Sequence, residues 1–356
     1  MPAPLITGWG KCLPPAVLSN SDLEGLTDTT DEWIVARTGI RERRISHTET
    51  SDLAAVAGLR ALAAAGLGPG DLDLVIVATC TPDRLIPSAA ALVQAKIAAT
   101  RAGAMDLNAA CSGFLYGLAV ADQMVRSGAM RRVLLIGAEK LHFFLDFADR
   151  ATSVLFGDGA GAVVVEAADE EGGLLAFELG ADGTAAEILC VPLSGTEGEP
   201  SASRRTRVQM EGPAVFRRAV EAMGDASLRV LGRAGLSLEA VDLFIPHQAN
   251  LRIIEATARR LGLDAEKVVV NLAAYGNTSA ASIPIALAEA LEGGRVRPGA
   301  LLVLAAFGGG LTWAAAAYRW GSRVTPRGAS NAALRASDRT GRELLEPNVA
   351  LYGKGV

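Results

Sequence analysis

AGLGPGDLDLVIVATCT, residues 65–81, and AGLSLEAVDLFIPHQAN, residues 234–250, share one pattern: a helix end, a short turn and an apolar strand. Aligning them sets Asp73 opposite Asp242, an offset of 242 − 73 = 169. The same offset carries LNAACSGFLYGLA (107–119) onto GNTSAASIPIALA (276–288), pairing Asn108 with Asn277, and RRVLLIGA (131–138) onto ALLVLAAF (300–307). FGDGAGAVVV (156–165) and FGGGLTWAAA (307–316) match at 307 − 156 = 151, so the first half holds 169 − 151 = 18 extra residues around 139–155. Segments matching in one order at a nearly fixed spacing indicate a duplicated unit.

The unit is α/β. LDLVIVA, VLLIGA and LLVLAA are continuous apolar runs, the pattern of strands covered by helices on both faces. The segments after Cys111 and Asn277 are rich in small residues and apolar nearly all round, which predicts helices buried between layers. The expected architecture is two duplicated α/β halves in a layered αβαβα arrangement, residues 1–170 and 171–320.

Composition narrows the function. The 356 residues are 50% hydrophobic and 21% charged, with a net charge of −5. That mild acidity argues against a nucleic-acid-binding protein, which needs a clustered basic face. The start, MPAPLITGWGKCLPP, lacks the charged and long apolar regions of a signal peptide, and no apolar run reaches spanning length, so a cytoplasmic protein without a membrane partner is expected. Cys12, Cys80, Cys111 and Cys190 are scattered, and His47, His142 and His247 form no ligand motif, so neither a disulfide framework nor a metal site is expected.

Stacking the halves about an approximate two-fold would gather equivalent strand ends and helix starts. Cys111 at a helix start, Asn277 before the equivalent helix and His247 at a strand end would then share one site. A helix N-terminus and an imidazole would lower the thiol pKa and supply a nucleophile for acyl transfer. Imidazole and amide N–H groups aimed at one point can stabilise an enolate oxygen, while backbone amides of Cys111 and of the FGGG turn, at Gly309, would hold a second oxyanion. Each residue alone has a plainer reading, as packing, carbonyl partner, helix cap or tight turn. Their joint placement at symmetry-related element ends favours chemistry.

DEWIVARTGIRERRI (31–45), NAACSGF (108–114), LFGDGAGA (155–162), PHQANLRI (246–253), YGNTSAAS (275–282) and FGGGLTW (307–313) together resemble β-ketoacyl-acyl-carrier-protein synthase III of the thiolase fold, from about residue 5 to Trp320. The resemblance implies a Cys111, His247, Asn277 triad and a homodimer. It also implies transfer of an acyl group from acyl-coenzyme A (acyl-CoA) to Cys111, then decarboxylative condensation with malonyl-acyl carrier protein, using no cofactor. Coenzyme A recognition falls on Trp33, Arg37, Arg150 and Asn250; carrier-protein docking falls on Arg252, Arg259 and Arg260.

Some segments match no family motif. AEKLHFFLDFADR (138–150), with His142, Phe143 and Phe144, lies where the family lines its acyl pocket, and Ile86 lies in a segment that shapes this pocket across the dimer interface. His142 is expected to serve packing or surface. The extension 321–356 is expected to be mobile or loosely docked, with a short helix within NAALRASDRTGRELL. A thiolase would need a second cysteine where the chain has GGG, and a hydroxymethylglutaryl-type synthase needs a glutamate near the thiol, for which TCTPD (79–83) offers no candidate. A specialised relative that primes polyketides or passes its acyl group elsewhere would keep the triad; an acyl-binding paralogue without activity would lack it.

Overall fold

The protein is described from a computed structural model that covers residues 3–192, 194–197 and 206–352. One sheet contains β1 (Ala3–Cys12), β2 (Leu74–Ala78), β3 (Gly103–Leu107), β4 (Arg132–Glu139) and β5 (Gly159–Ala168), in the spatial order β1-β5-β4-β2-β3. Strands β4, β2 and β3 run parallel, while β5 is antiparallel to both β4 and β1. The second sheet contains β6 (Gly173–Ala181), β7 (Leu243–Pro246), β8 (Leu301–Gly308) and β9 (Thr312–Arg319), in the order β7-β8-β9-β6. Here β7 and β8 are parallel and the other pairs antiparallel.

The two orders superpose as β1 on β6, β5 on β9, β4 on β8 and β2 on β7. The counterpart of β3 shrinks to one parallel bridge between Phe244 and Val268. The repeat extends to single hydrogen bonds. Asp73 accepts from the backbone N of Arg131 (2.7 Å) and Arg132 (2.9 Å), and Asp242 accepts from that of Leu301 (2.7 Å). Each aspartate therefore ties the start of one parallel strand to the start of its neighbour.

Six helices frame the layers and the site: α1 (Asp31–Thr38), α2 (Thr50–Ala65), α3 (Gly113–Arg126), α4 (Gly212–Arg233), α5 (Leu251–Leu261) and α6 (Ser282–Glu292). Phe114 and Leu118 of α3 and Ile283 and Leu287 of α6 share one buried cluster with Leu135 and Val163 of the first sheet and Leu302 and Leu304 of the second. These are the two predicted inner helices. On the outer face of the first sheet, Leu53, Ala57 and Ala61 of α2 pack on Leu134, Ile136 and Val164. Val133 and Leu135 thus face one layer, Leu134 and Ile136 the other, which is why these strands carry no polar alternation. The halves approach closely at Gly137, where a Cβ would lie 2.2 Å from the carbonyl oxygen of Ala280; only a glycine admits this contact.

Of the two forms expected for the C-terminal extension, mobile or loosely docked, residues 321–352 take a docked one. Arg323 donates to the carbonyls of Thr7 (2.9 Å) and Ala65 (3.3 Å), and Arg60 to that of Ala332 (3.0 Å). NAALRASD (331–338) is not helical; the short helix expected within 331–345 lies at its end, α7 (Gly341–Leu344), and α8 (Glu346–Tyr352) follows. A capping box at Thr340 and Glu343 starts α7. Leu344 and Leu345 are buried in the same core as Ile34 and Phe147. Among the described residues no helix is long and apolar enough to cross a membrane.

Candidate active site

Cys111 sits in a 3-10 turn, Ala110–Ser112, that runs directly into α3. The matching turn, Ser279–Ala281, runs into α6. Both open on a residue in the left-handed region, Ala110 at φ 46° and Ser279 at φ 48°. In both, an asparagine two residues earlier takes the backbone N–H: Asn108 from Ala110 at 3.1 Å, Asn277 from Ser279 at 2.8 Å. The short polar side chain compensates the strained turn locally.

That bond also aims Asn277. Its Oδ1 is occupied by Ser279, so its Nδ2 is the end left for the cavity. Its backbone is held by Leu155 and Gly157 (2.8 and 3.0 Å). His247 comes directly after the last residue of β7, and its Nδ1 lies 2.7 Å from Oγ of Ser282 at the start of α6. The backbone N–H of Gln248 donates to that hydroxyl (3.4 Å). The hydroxyl proton can therefore go to Nδ1, which leaves Nε2 carrying the ring hydrogen. Burial lowers the imidazole pKa to about 3, so the ring is neutral.

Cys111, His247 and Asn277 line one cavity of about 470 Å³. All three are nearly buried, at 8%, 2% and 6% exposure, so the cavity reaches them through a narrow depth. Its walls and mouth also carry Trp33, Arg37, Arg150, Asn250 and Arg252. Trp33 and Arg37 come from α1, whose N-cap Thr30 accepts from the Trp33 N–H (3.1 Å). The guanidinium carbons of Arg37 and Arg150 lie 5.3 and 5.0 Å from the indole centroid. An aromatic ring stacking on Trp33 competes with these cations.

The other predicted binding residues are less uniform. Asn250 caps α5 by accepting from the Arg252 N–H (2.9 Å) and donates to the Arg37 carbonyl (3.1 Å), so its amide already joins two parts of the cavity rim. Arg252 stands 5.8 Å from the ring of Phe216. Arg259 is exposed and only loosely paired with Glu255 (3.7 Å). Arg260 instead turns onto Asp225 of α4 (2.6 Å). The basic face shared along α5 therefore narrows to Arg252 and Arg259.

The thiol does not meet the expectation of a lowered pKa. Burial pushes Cys111 up to about 11, and the nearby Glu139 carboxyl adds to this. The Ser279 hydroxyl and the backbone N–H groups of Cys111 and Gly309 pull in the other direction. The turn precedes α3, but desolvation outweighs the helix end. Gly309 is held in place by Thr312, whose Oγ1 donates to the carbonyls of Ala109 (2.8 Å) and Gly309 (3.1 Å). At Gly308 a Cβ would lie 2.6 Å from the Cys111 nitrogen, so the glycine turn and the cysteine turn touch backbone to backbone.

Glu139 was missed from sequence. It ends β4, is fully buried, and accepts from Oγ of Thr81 (2.6 Å), Thr79 (3.2 Å) and Ser279 (3.0 Å) and from the Cys80 N–H (3.2 Å). Burial raises its pKa, while these donors oppose the rise. A glutamate thus does lie near the thiol, but engaged on both oxygens. A charged residue closing the apolar run VLLIGA was the available signal. His142 is buried with its Nδ1 on Asp158, a packing role as expected.

On another side of Cys111 a second cavity of about 440 Å³ is lined by Cys80, Leu141, Leu189, Cys190 and Val208. One thiol therefore faces a cavity that carries several arginines and a second one lined by uncharged residues. Two stacked, duplicated α/β halves, with a cysteine turn packed against a glycine turn at their join, define a thiolase-fold condensing acyltransferase.

Comparison with known proteins gives the family. Residues 105–183 match the model of 3-oxoacyl-[acyl-carrier-protein (ACP)] synthase III, and residues 231–320 the model of its C-terminal part. A β-ketoacyl-[acyl-carrier-protein] synthase III 2 of Vibrio cholerae is 51% identical over 342 residues, 96% of this chain and 94% of its own. The crystal structure of 3-oxoacyl-[acyl-carrier-protein] synthase III from Aquifex aeolicus superposes with a TM-score of 0.85 at 47% identity, covering 89% of this chain and all of that one. The priming β-ketosynthase of the R1128 polyketide pathway superposes equally well, TM-score 0.85, at 38% identity over 90% of this chain and 97% of its own. The chain belongs to the β-ketoacyl-acyl-carrier-protein synthase III family, the condensing enzymes of fatty-acid synthesis.

Proposed function

We propose that Cys111 takes an acyl group from acyl-CoA and passes it to the carbanion released by decarboxylation of malonyl-acyl carrier protein, giving a 3-oxoacyl-acyl carrier protein. The observation that supports this most is the convergence of Cys111, His247 and Asn277 on one cavity whose mouth carries Trp33, Arg37, Arg150 and Arg252. A thioester with an anionic, aromatic-headed carrier fits such a passage: guanidinium groups for phosphates, an indole for a purine. Asn250 on the rim would meet the pantetheine arm. Arg252 and Arg259 would meet the acidic carrier protein, with Arg260 turning from Asp225 to join them.

The thiol is protonated at rest, so nucleophilic attack requires loss of its proton; His247 carries a hydrogen on Nε2 and accepts that of Ser282 on Nδ1, so the proton goes to the sulfur of the departing coenzyme A. The sulfur then forms a bond to the thioester carbon and coenzyme A leaves as a thiol with that proton. Backbone N–H groups of Cys111 and Gly309, already aimed at the sulfur, would hold the oxyanion of the tetrahedral intermediate. In the second half-reaction His247 Nε2 and Asn277 Nδ2 donate to the malonyl thioester oxygen as carbon dioxide leaves. The neutral ring suits this role, since it donates a hydrogen bond without adding a full charge. We place the enzyme in the cytoplasm as a homodimer; the exposed Leu85 and Ile86 supply an apolar surface for such pairing.

Intact-protein mass spectrometry with a panel of acyl-CoA thioesters, and then malonyl-acyl carrier protein, tests the reading. An acyl adduct on the wild type, absent in Cys111→Ala and discharged into a 3-oxoacyl product, is expected. Adducts that persist after the malonyl partner is added would overturn the assigned acceptor.

A further inference from the structure

The docked extension reaches the turn that carries Leu141, a wall residue of the second cavity. Asn348 of α8 is 7% exposed, and its side-chain Nδ2 lies 2.7 Å from the carbonyl of His142, 3.1 Å from that of Phe143 and 3.4 Å from that of Leu145. These carbonyls close a single 3-10 turn, Leu141–Phe144, whose last oxygens have no onward helix to receive them. An amide of a residue 203 or more positions away supplies the donor.

The turn is held at three places, the middle one being His142, whose backbone N–H (3.2 Å) and Nδ1 both meet Asp158. At its start, the backbone N–H of Lys140 donates to Oγ1 of Thr81 (2.8 Å), within the Glu139 network. At its end, Asn348 holds the carbonyls. Leu141 projects into the 440 Å³ cavity beside Cys111. Val208, on the same cavity, donates its N–H to the carbonyl of Phe144 (2.9 Å). One turn therefore carries one wall residue directly and fastens a second, and the extension supplies the bonds at its C-terminal end.

We propose that Asn348 is a positioning residue for acyl-chain selection: by holding the 141–145 turn it fixes Leu141 and Val208 as the wall of the acyl cavity next to Cys111. The inference rests on acyl transfer at Cys111 as the reading of the site. Leu344 and Leu345 anchor the extension in the core, and Asn348 directs that anchor at the turn. A carboxylate in its place would meet three carbonyl oxygens with no donor, so Asn348→Asp releases the turn without changing its volume.

The experiment compares wild type, Asn348→Asp, Asn348→Ala and, as a control elsewhere on the extension with no bond to the turn, Arg335→Ala. Rates of Cys111 acylation by acetyl-CoA and octanoyl-CoA are measured by intact mass. In parallel, Cys111 is alkylated with N-ethylmaleimide and longer N-alkylmaleimides, which probe the wall whether or not acyl-CoA reacts. The octanoyl-to-acetyl ratio, and the long-to-short maleimide ratio, are expected to change by roughly tenfold in both Asn348 variants and to stay at the wild-type value in Arg335→Ala. A merely structural role would lower all rates together and leave the ratios alone. Unchanged ratios in folded Asn348→Asp overturn the proposal, as does failure of both Asn348 variants to fold. Failure of every acyl-CoA with a shifted maleimide ratio would instead sink the acyl-transfer reading and leave the wall assignment standing.

Discussion

The turns at Ala110–Ser112 and Ser279–Ala281 have the same backbone and different tasks. Each opens on a left-handed residue, each is braced by an asparagine two positions before that residue, and each feeds an inner helix. Yet where the first presents Cys111, the second has Ala280, and where Asn277 lines the cavity shared with His247, Asn108 lines the second one. The strands beside them diverge in the same way. Glu139 ends β4 and a connection of 158 − 140 + 1 = 19 residues leads on to β5, whereas Gly308 ends β8 and only 311 − 309 + 1 = 3 residues lead on to β9. Duplication supplies the scaffold, and loss of symmetry at its join supplies the chemistry. The long connection shapes one cavity, and the short one lets a bare backbone reach the thiol.

The comparison breaks most visibly at the thiol. Cys111→Ala makes the two turns alike, and condensation is expected to fall by roughly 10⁴-fold or more, with no acyl adduct by intact mass. Next come the groups from the second half. His247→Ala and Asn277→Ala are expected to lower malonyl decarboxylation by about 10²- to 10³-fold while sparing much of the acylation, read as released carbon dioxide against adduct formation. Normal decarboxylation in both variants would remove them from enolate stabilisation.

Gly308→Ala tests the contact between the short turn and the cysteine turn. A methyl group 2.6 Å from the Cys111 nitrogen must displace backbone, so a loss of about 1–3 kcal/mol in stability is expected from thermal or urea unfolding, with slower acylation. Unaltered stability and acylation would mean the two turns are not mutually packed.

The smallest effect is in pH. A thiol pushed up to about 11 becomes thiolate only as pH rises towards that value, so iodoacetamide alkylation of Cys111 in the free enzyme should climb about tenfold per unit from pH 7 to 9 without levelling. A plateau below pH 8 would show the lowered pKa that helix-end reasoning anticipates. Ser279→Ala removes a hydroxyl that holds the thiol pKa down and should slow alkylation at every pH in this range. Both measurements use one readout, adduct mass against time.

Much of the fold was legible in the chain because the chain repeats. The 169-residue offset located β4 on β8, aligned Asp73 with Asp242, and set Asn108 on Asn277 before any contact was known. Continuous apolar strands announced layers on both sides, since a strand covered twice has no solvent face to mark with polar residues. Other features were invisible for definite reasons. Glu139 looked like the end of a strand, and its place behind the thiol depends on Thr81 and Ser279, 58 and 140 residues away. Arg260 sat on a basic helix face in sequence, but its partner Asp225 belongs to a different helix. NAALRASD has the composition of a helix, yet it packs as non-helical chain, tied to α2 through Arg60 and to the His47 loop through Arg335.

Sequence alone determined the duplicated α/β architecture, the family and the three residues that meet at the join, because periodicity and ordered motifs are local and survive without coordinates. Only the tertiary structure decided the state of those residues. Burial set the thiol high and the imidazole neutral, a hydroxyl from α6 chose the tautomer, and the C-terminal extension bonded the turn that carries Leu141. Desolvation and hydrogen-bond direction depend on what surrounds a group in space, and those neighbours come from distant stretches of chain.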